Sequence, residues 1–140
     1  MNVKKWLLAT IAVGVAANVY DIVLHGWLLR GMYLDLPDLF RQDSPLNWLV
    51  AGDFIAGAVV VWFYDRVYAS FGGGLVNGAK FGFYAGVLLG FPAQLFANMM
   101  FVGFPYRLAW IWVFVVIGWG LVAGAVAGAV YGSDAKVAPA

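Results

Sequence analysis

Four long apolar runs dominate the chain, and short polar or breaker-rich stretches separate them. The first runs from about Trp6 to Leu29, the second from about Trp48 to Tyr68, the third from about Leu75 to Val102 and the fourth from about Leu108 to Tyr131. Crossing a bilayer as a helix takes roughly 20 mostly apolar residues, and each run supplies that length. The connections differ in character: "RGMYLDLPDLFRQDSPLN" carries two prolines and several charges, "SFGGG" is glycine-rich and "GFPYR" is tight. None has the length of a second domain. The pattern predicts an all-α protein, a bundle of four transmembrane helices forming one membrane domain over residues 1–140. The stretch "MNVKKWLLATIAVGVAAN" also has the make-up of a signal peptide. Its apolar run continues to Leu29, so an uncleaved first helix is expected. The tail "SDAKVAPA" is expected to fray.

Composition strengthens the membrane reading. Hydrophobic residues make up 64% of the chain and charged ones 11%, with a mean hydropathy of +0.87. A soluble domain carries about 25% charged residues, so lipid is the expected solvent and partner. A net charge of +1 gives no reason to expect nucleic acid. The absence of cysteine excludes disulfides and thiolate chemistry.

Orientation follows the distribution of Lys and Arg. With the N-terminus inside, Lys4, Lys5, Arg66, Lys80 and Lys136 lie on the inner side and Arg30, Arg41 and Arg107 on the outer side. Both termini are therefore expected in the cytoplasm. Trp6, Trp27, Trp48, Tyr64, Tyr68, Tyr106, Trp110 and Tyr131 fall near span ends, where interfacial aromatics belong. Asp65 and Arg66 read as an anchor pair at the inner interface, and Asp35, Asp38, Arg41 and Asp43 as a solvated loop.

Two glycine ladders stand out. Gly78, Gly82, Gly86 and Gly90 recur every four residues in the third run, and Gly120, Gly124, Gly128 and Gly132 do so in the fourth. Small residues at this spacing let helix backbones approach closely in lipid. The short connection favours packing of these two helices on each other; the rival placement is a homo-oligomer seam.

Polar residues collect in the outer half of the spans. Asn18, Asp21 and His25 continue a stripe from Gly14 at spacings of four, three and four, one narrow helical face. Asp53 lies at a similar depth on the second span, and Gln94 and Asn98 on the third, beyond Pro92. An aspartate at the centre of a spanning helix costs about 2.5–3.5 kcal/mol on insertion scales, and such residues mark functional sites. Pro92 removes a backbone hydrogen bond and favours a kink. The expected result is a polar cleft, open to the outside, built from Asp21, His25, Asp53, Asn18, Gln94 and Asn98, with Asp21 partnered by His25 first and Asn98 second. The structural alternative is that Asn18, Gln94 and Asn98 are interhelical glue. One imidazole with two carboxylates is a known iron, zinc or manganese donor set, but no ligand spacing supports a metal here, and no cofactor is expected. No nucleophile–base motif points to an enzyme.

The glycines of the third helix, "GFP" at Gly90 to Pro92, Asn98, "GFP" at Gly103 to Pro105, Trp110 and the glycine-rich end of the fourth helix together resemble a family of small four-helix bacterial membrane proteins of unknown function. The resemblance covers mainly residues 75–132 and implies a multi-pass protein of the bacterial inner membrane. It carries no site residues over, and the first helix, "YDIVLHGWLLRG", departs from the family pattern. Two functional classes stand: a bundle whose cleft binds a small ligand, ion or proton, as a small transporter would, and a non-catalytic accessory or assembly subunit of a larger membrane complex.

Overall fold

A computed structural model describes residues 2–41 and 45–132. Asp43, Lys136 and the tail from Ser133 lie outside the described residues. All regular structure among the described residues is helical: α1 (Val3–Val23), a π-helical turn (Leu24–Leu28), α2 (Arg30–Leu34), α3 (Leu46–Phe71), α4 (Leu75–Met100) and α5 (Tyr106–Tyr131). Four helices are long and apolar enough to cross a membrane: Val3–Leu28, Leu46–Phe71, Leu75–Met100 and Tyr106–Tyr131. Their ends fall within three residues of the apolar runs.

Local chemistry explains the ends. The Asn2 side chain accepts a hydrogen bond from the Lys5 backbone N–H at 3.1 Å, an ordinary N-cap. Pro45 and Pro105 precede the first residues of α3 and α5, where the chain is extended. Gly72 and Gly132 end α3 and α5 with φ of 78° and 75°, a region that glycine enters without a Cβ penalty. Gly132 is therefore a cap and not a rung of the ladder. Pro92 sits inside α4, which continues through it to Met100.

The helices alternate in direction, and both described ends of the chain lie at one end of the bundle. There the Lys5 ammonium donates to the Tyr131 carbonyl at 3.2 Å, and the Tyr68 hydroxyl to the Gly132 carbonyl at 2.9 Å. The packing core belongs mainly to this half and contains Ala9, Val13, Val61, Tyr64, Phe81, Ala123, Ala127 and Tyr131. Tyr64 and Tyr131, expected at an interface, are buried instead. Their hydroxyls are matched: Tyr64 donates to the Gly72 carbonyl at 2.7 Å and Tyr131 to an Asp65 carboxylate oxygen at 3.0 Å. Asp65 thus serves this network, while the Arg66 guanidinium lies over the Trp62 ring, 5.3 Å from its centroid.

Two helix pairs set the frame. α4 runs along α5 in backbone-to-backbone contact. A Cβ placed on Gly78 would strike the Gly124 carbonyl and lie 2.8 Å from the Gly128 Cα. One on Gly82 would strike the Gly120 carbonyl, and one on Gly86 would lie 2.7 Å from the Ile117 Cα. The seam closes with a hydrogen bond between helices, from the Gly74 N–H to the Gly128 carbonyl at 3.0 Å. At Gly90 the neighbour is a side chain, Val116. α1 packs on α3 and α5. Gly14 leaves room for the Phe54 ring, and a Cβ on Gly57 would lie 3.3 Å from the Gly14 nitrogen. Trp6 adds a hydrogen bond from its indole N–H to the Ala58 carbonyl at 3.3 Å.

Candidate ligand cavity

At the opposite end of the bundle the helices part around a cavity of about 620 Å³. Ligand pockets commonly have volumes of about 300–1,000 Å³. Its walls come from the second half of α1, the π-helical turn, the connection to α3, the first turns of α3 and one residue of α5, Trp112.

The α1 stripe lines it as spaced. Asn18, Asp21 and His25 all contribute, and Asp53 enters from α3. The Asp21 and Asp53 carboxyls are hydrogen-bonded to each other. Such a bond needs a proton on one member, because ionised carboxylates only accept. Asn18 spends its N–H groups on backbone, donating to the Gly14 carbonyl at 2.8 Å and the Val50 carbonyl at 3.4 Å. What its side chain retains is an acceptor oxygen.

His25 is the first residue to follow Leu24 into the π-helical turn, which closes with a bond from the Leu29 N–H to the Leu24 carbonyl at 2.8 Å. This wider turn carries an extra residue, a feature frequent at functional sites. The turn redirects the chain into α2, and α2 returns Tyr33 to His25. The Tyr33 hydroxyl and His25 Nδ1 are hydrogen-bonded at 2.5 Å, and the Trp112 indole N–H donates to the same hydroxyl at 3.0 Å. The His25 and Tyr33 rings stack with centroids 5.8 Å apart. Burial pushes the Tyr33 hydroxyl above its ordinary pKa; the Trp112 hydrogen bond acts the other way, and the Asp21 charge adds to the rise.

The connection is therefore a strap, not a solvated loop. Met32, Tyr33, Leu36, Leu39 and Phe40 pack on Phe104, Leu108, Ala109 and Trp112. Arg41, expected in solvent with Asp35 and Asp38, lines the cavity, as does Arg30. Asp35 and Asp38 are exposed.

Three expectations need correction. Asp21 finds its partner in Asp53 across the helix pair, whereas His25 turns to Tyr33. Asn98 and Gln94 do not line the cavity. The Asn98 amide donates to the Phe104 carbonyl at 2.6 Å and so holds the α4–α5 turn. The reason is azimuth: α4 lies along α5 and meets α3 only lightly, so its polar residues share the cavity's depth but not its side of the bundle. The third wall is thus the strap with Trp112, and the kink expected at Pro92 has no part in opening it. Sequence reasoning passed over Tyr33 and Trp112. The available signal was the tyrosine eight residues after the single histidine, in a segment whose apolar positions alternate with breakers. Among the described residues, no group of three or more His, Asp or Glu side chains is arranged to hold a metal ion.

No family model, curated protein or solved structure matches this chain.

Proposed function

We propose that this is a multi-pass membrane protein with both termini in the cytoplasm, whose cavity opens outward and binds a small ligand without transforming it. The observation that carries the reading is the meeting of two carboxyls, from α1 and α3, in one ligand-sized cavity closed by a strap. Acids are expensive inside spanning helices and mark ligand or ion pathways. A purely structural role would be served at lower cost by Asn18-type bonds to backbone. The orientation rests on Lys4 and Lys5 beside the first span. Placement in a bacterial inner membrane rests on the family resemblance of the second half alone.

The test is a thermal-stability screen of the purified chain in nonionic detergent, against small amphiphiles with cationic, anionic and neutral head groups. A ligand that binds only the folded state stabilises by about 2.7 kcal/mol at 100 times its Kd. At least one class should raise Tm, and Asp53→Asn, itself still folded, should cancel the rise. If no class raises Tm, the ligand reading fails and the accessory-subunit reading takes its place.

A further inference from the structure

We infer that the cavity selects an organic cation: an ammonium group on a compact apolar body. The inference rests on the ligand-binding reading above and names its chemical class.

The polar groups at the deep end are acceptors. Asp21 and Asp53 present carboxyls, and Asn18, with its N–H groups committed to Gly14 and Val50, presents an oxygen. An anion placed there would meet like charge and unmatched lone pairs, which is how a site rejects a wrong partner. A cation relieves the crowding of two acids in a poorly hydrated space. The wall beside them is aromatic. Tyr33, Phe40 and Trp112 form one cluster, with Tyr33–Phe40 centroids 4.9 Å apart and Phe40–Trp112 centroids 5.7 Å apart. Rings attract cations through their quadrupole, and indole does so best. Aliphatic side chains such as Ile22, Leu49 and Val50 supply the remaining surface. They suit an apolar body, not a hydrated metal ion.

Polarity along the cavity sets the direction of entry. Asp21 precedes Arg30 by nine residues, about 13 Å of helix at 1.5 Å per residue. Arg30 is exposed and stands at the rim. Its guanidinium favours a neutral or anionic outer end, so the ammonium group enters first. Selection by the acid pair and the aromatic wall acts at depth, where water screens least.

The experiment compares three soluble probes of similar size: benzyltrimethylammonium, benzyl alcohol and benzenesulfonate. Each is titrated by calorimetry into the chain in nanodiscs of zwitterionic lipid. The cation should bind at least about tenfold more tightly than either other probe, the ratio that 1.4 kcal/mol supplies. Asp21→Asn and Asp53→Asn should each weaken it by about tenfold, and Trp112→Leu by a similar factor. Equal or tighter binding of the sulfonate or the alcohol would overturn the inference and leave the cavity reading standing. So would failure of all three probes where the broader screen finds a ligand of another class. Cation binding that survives both Asp→Asn variants would place the cation elsewhere and overturn it as well. The charge preference of the unaltered chain decides the matter even where a variant fails to fold.

Discussion

Replacing Gly124 by alanine should break the tightest part of the bundle. The added Cβ would fall 2.7 Å from the Gly82 Cα and 2.8 Å from the Gly82 nitrogen, and would overlap the Gly78 carbonyl oxygen. Carbon atoms in good contact sit about 3.5–4.0 Å apart, so α4 and α5 would have to separate by roughly 1 Å. These neighbours are backbone atoms and cannot swing aside as a side chain does. A gap of about 0.5–1 Å forfeits a quarter to a half of each dispersion contact it opens, and the loss would extend along the seam to the Gly74–Gly128 hydrogen bond. Alanine gains about 1 kcal/mol in helix propensity over glycine, which offsets part of the damage. Overpacking of this kind costs about 1–3 kcal/mol and sometimes more, and the rigidity of both backbones places Gly124 at the upper end. The net expectation is a destabilisation of about 2 kcal/mol. Gly52→Ala is the matched control: Gly52 is exposed within α3, a Cβ there meets nothing within 4 Å, and only the propensity gain applies. Reversible unfolding in mixed micelles, with denaturing detergent as the titrant, measures both. Gly124→Ala proving as stable as Gly52→Ala would refute the argument and mean that the seam is looser than its geometry.

Thr10→Val should leave stability unchanged or raise it by about 1 kcal/mol in the same assay, because the buried Thr10 hydroxyl has no hydrogen-bond partner among the described residues and valine keeps its shape; a clear loss would show that the hydroxyl is matched after all. Tyr33→Phe removes the group that joins Trp112 to His25 and should lower stability by about 1–3 kcal/mol, with a shift in tryptophan emission; unchanged emission and Tm would separate the strap from the cavity. The same variant tests pH dependence. The folded state holds the Tyr33 proton above its ordinary value near 10, so it binds more protons than the unfolded chain as pH rises through that range, and stability falls. Tyr33→Phe should lose less stability than the unaltered chain between neutral pH and pH above 10, and parallel curves would count against it. For sidedness, Asp38→Cys and Ser70→Cys, both at exposed positions at opposite ends of the bundle, should label from outside and inside the cell respectively. Reversed labelling would invert the proposed cavity.

Much of the frame is legible in the residues alone, and the limits have a physical cause. Apolar runs of spanning length announce the four long helices. A four-residue glycine rhythm on consecutive helices announces the close approach of α4 to α5, apart from Gly132, whose position just beyond the last turn makes it a cap. Depth can be counted from the span ends, so Asp21 and Asp53 could be placed level with each other. Azimuth cannot be counted. Which face of α4 meets which neighbour is decided by the seam with α5, and that seam carries Asn98 and Gln94 away from the acids. Asn98 also illustrates local competition: a short amide beside a turn bonds the nearest orphan carbonyl, here that of Phe104. The strap was hidden for a third reason. Its prolines and charges look like solvent-exposed chain, whereas the positions between them hold the apolar surface that covers Phe104 and Leu108.

The π-helical turn at Leu24–Leu28 has a consequence in phase. An α-helix advances about 100° per residue, and the wide turn lets the chain hold one residue more than the α-helical path would need. Deleting any one residue of that turn would let the helix run on in α register, and everything after it would arrive out of phase with α1. Tyr33 would then face away from His25, and the strap would offer its charged side to Trp112. What the site depends on at this point is a length and not a side chain: Gly26, Trp27 and Leu28 can each be exchanged more safely than any of them can be lost.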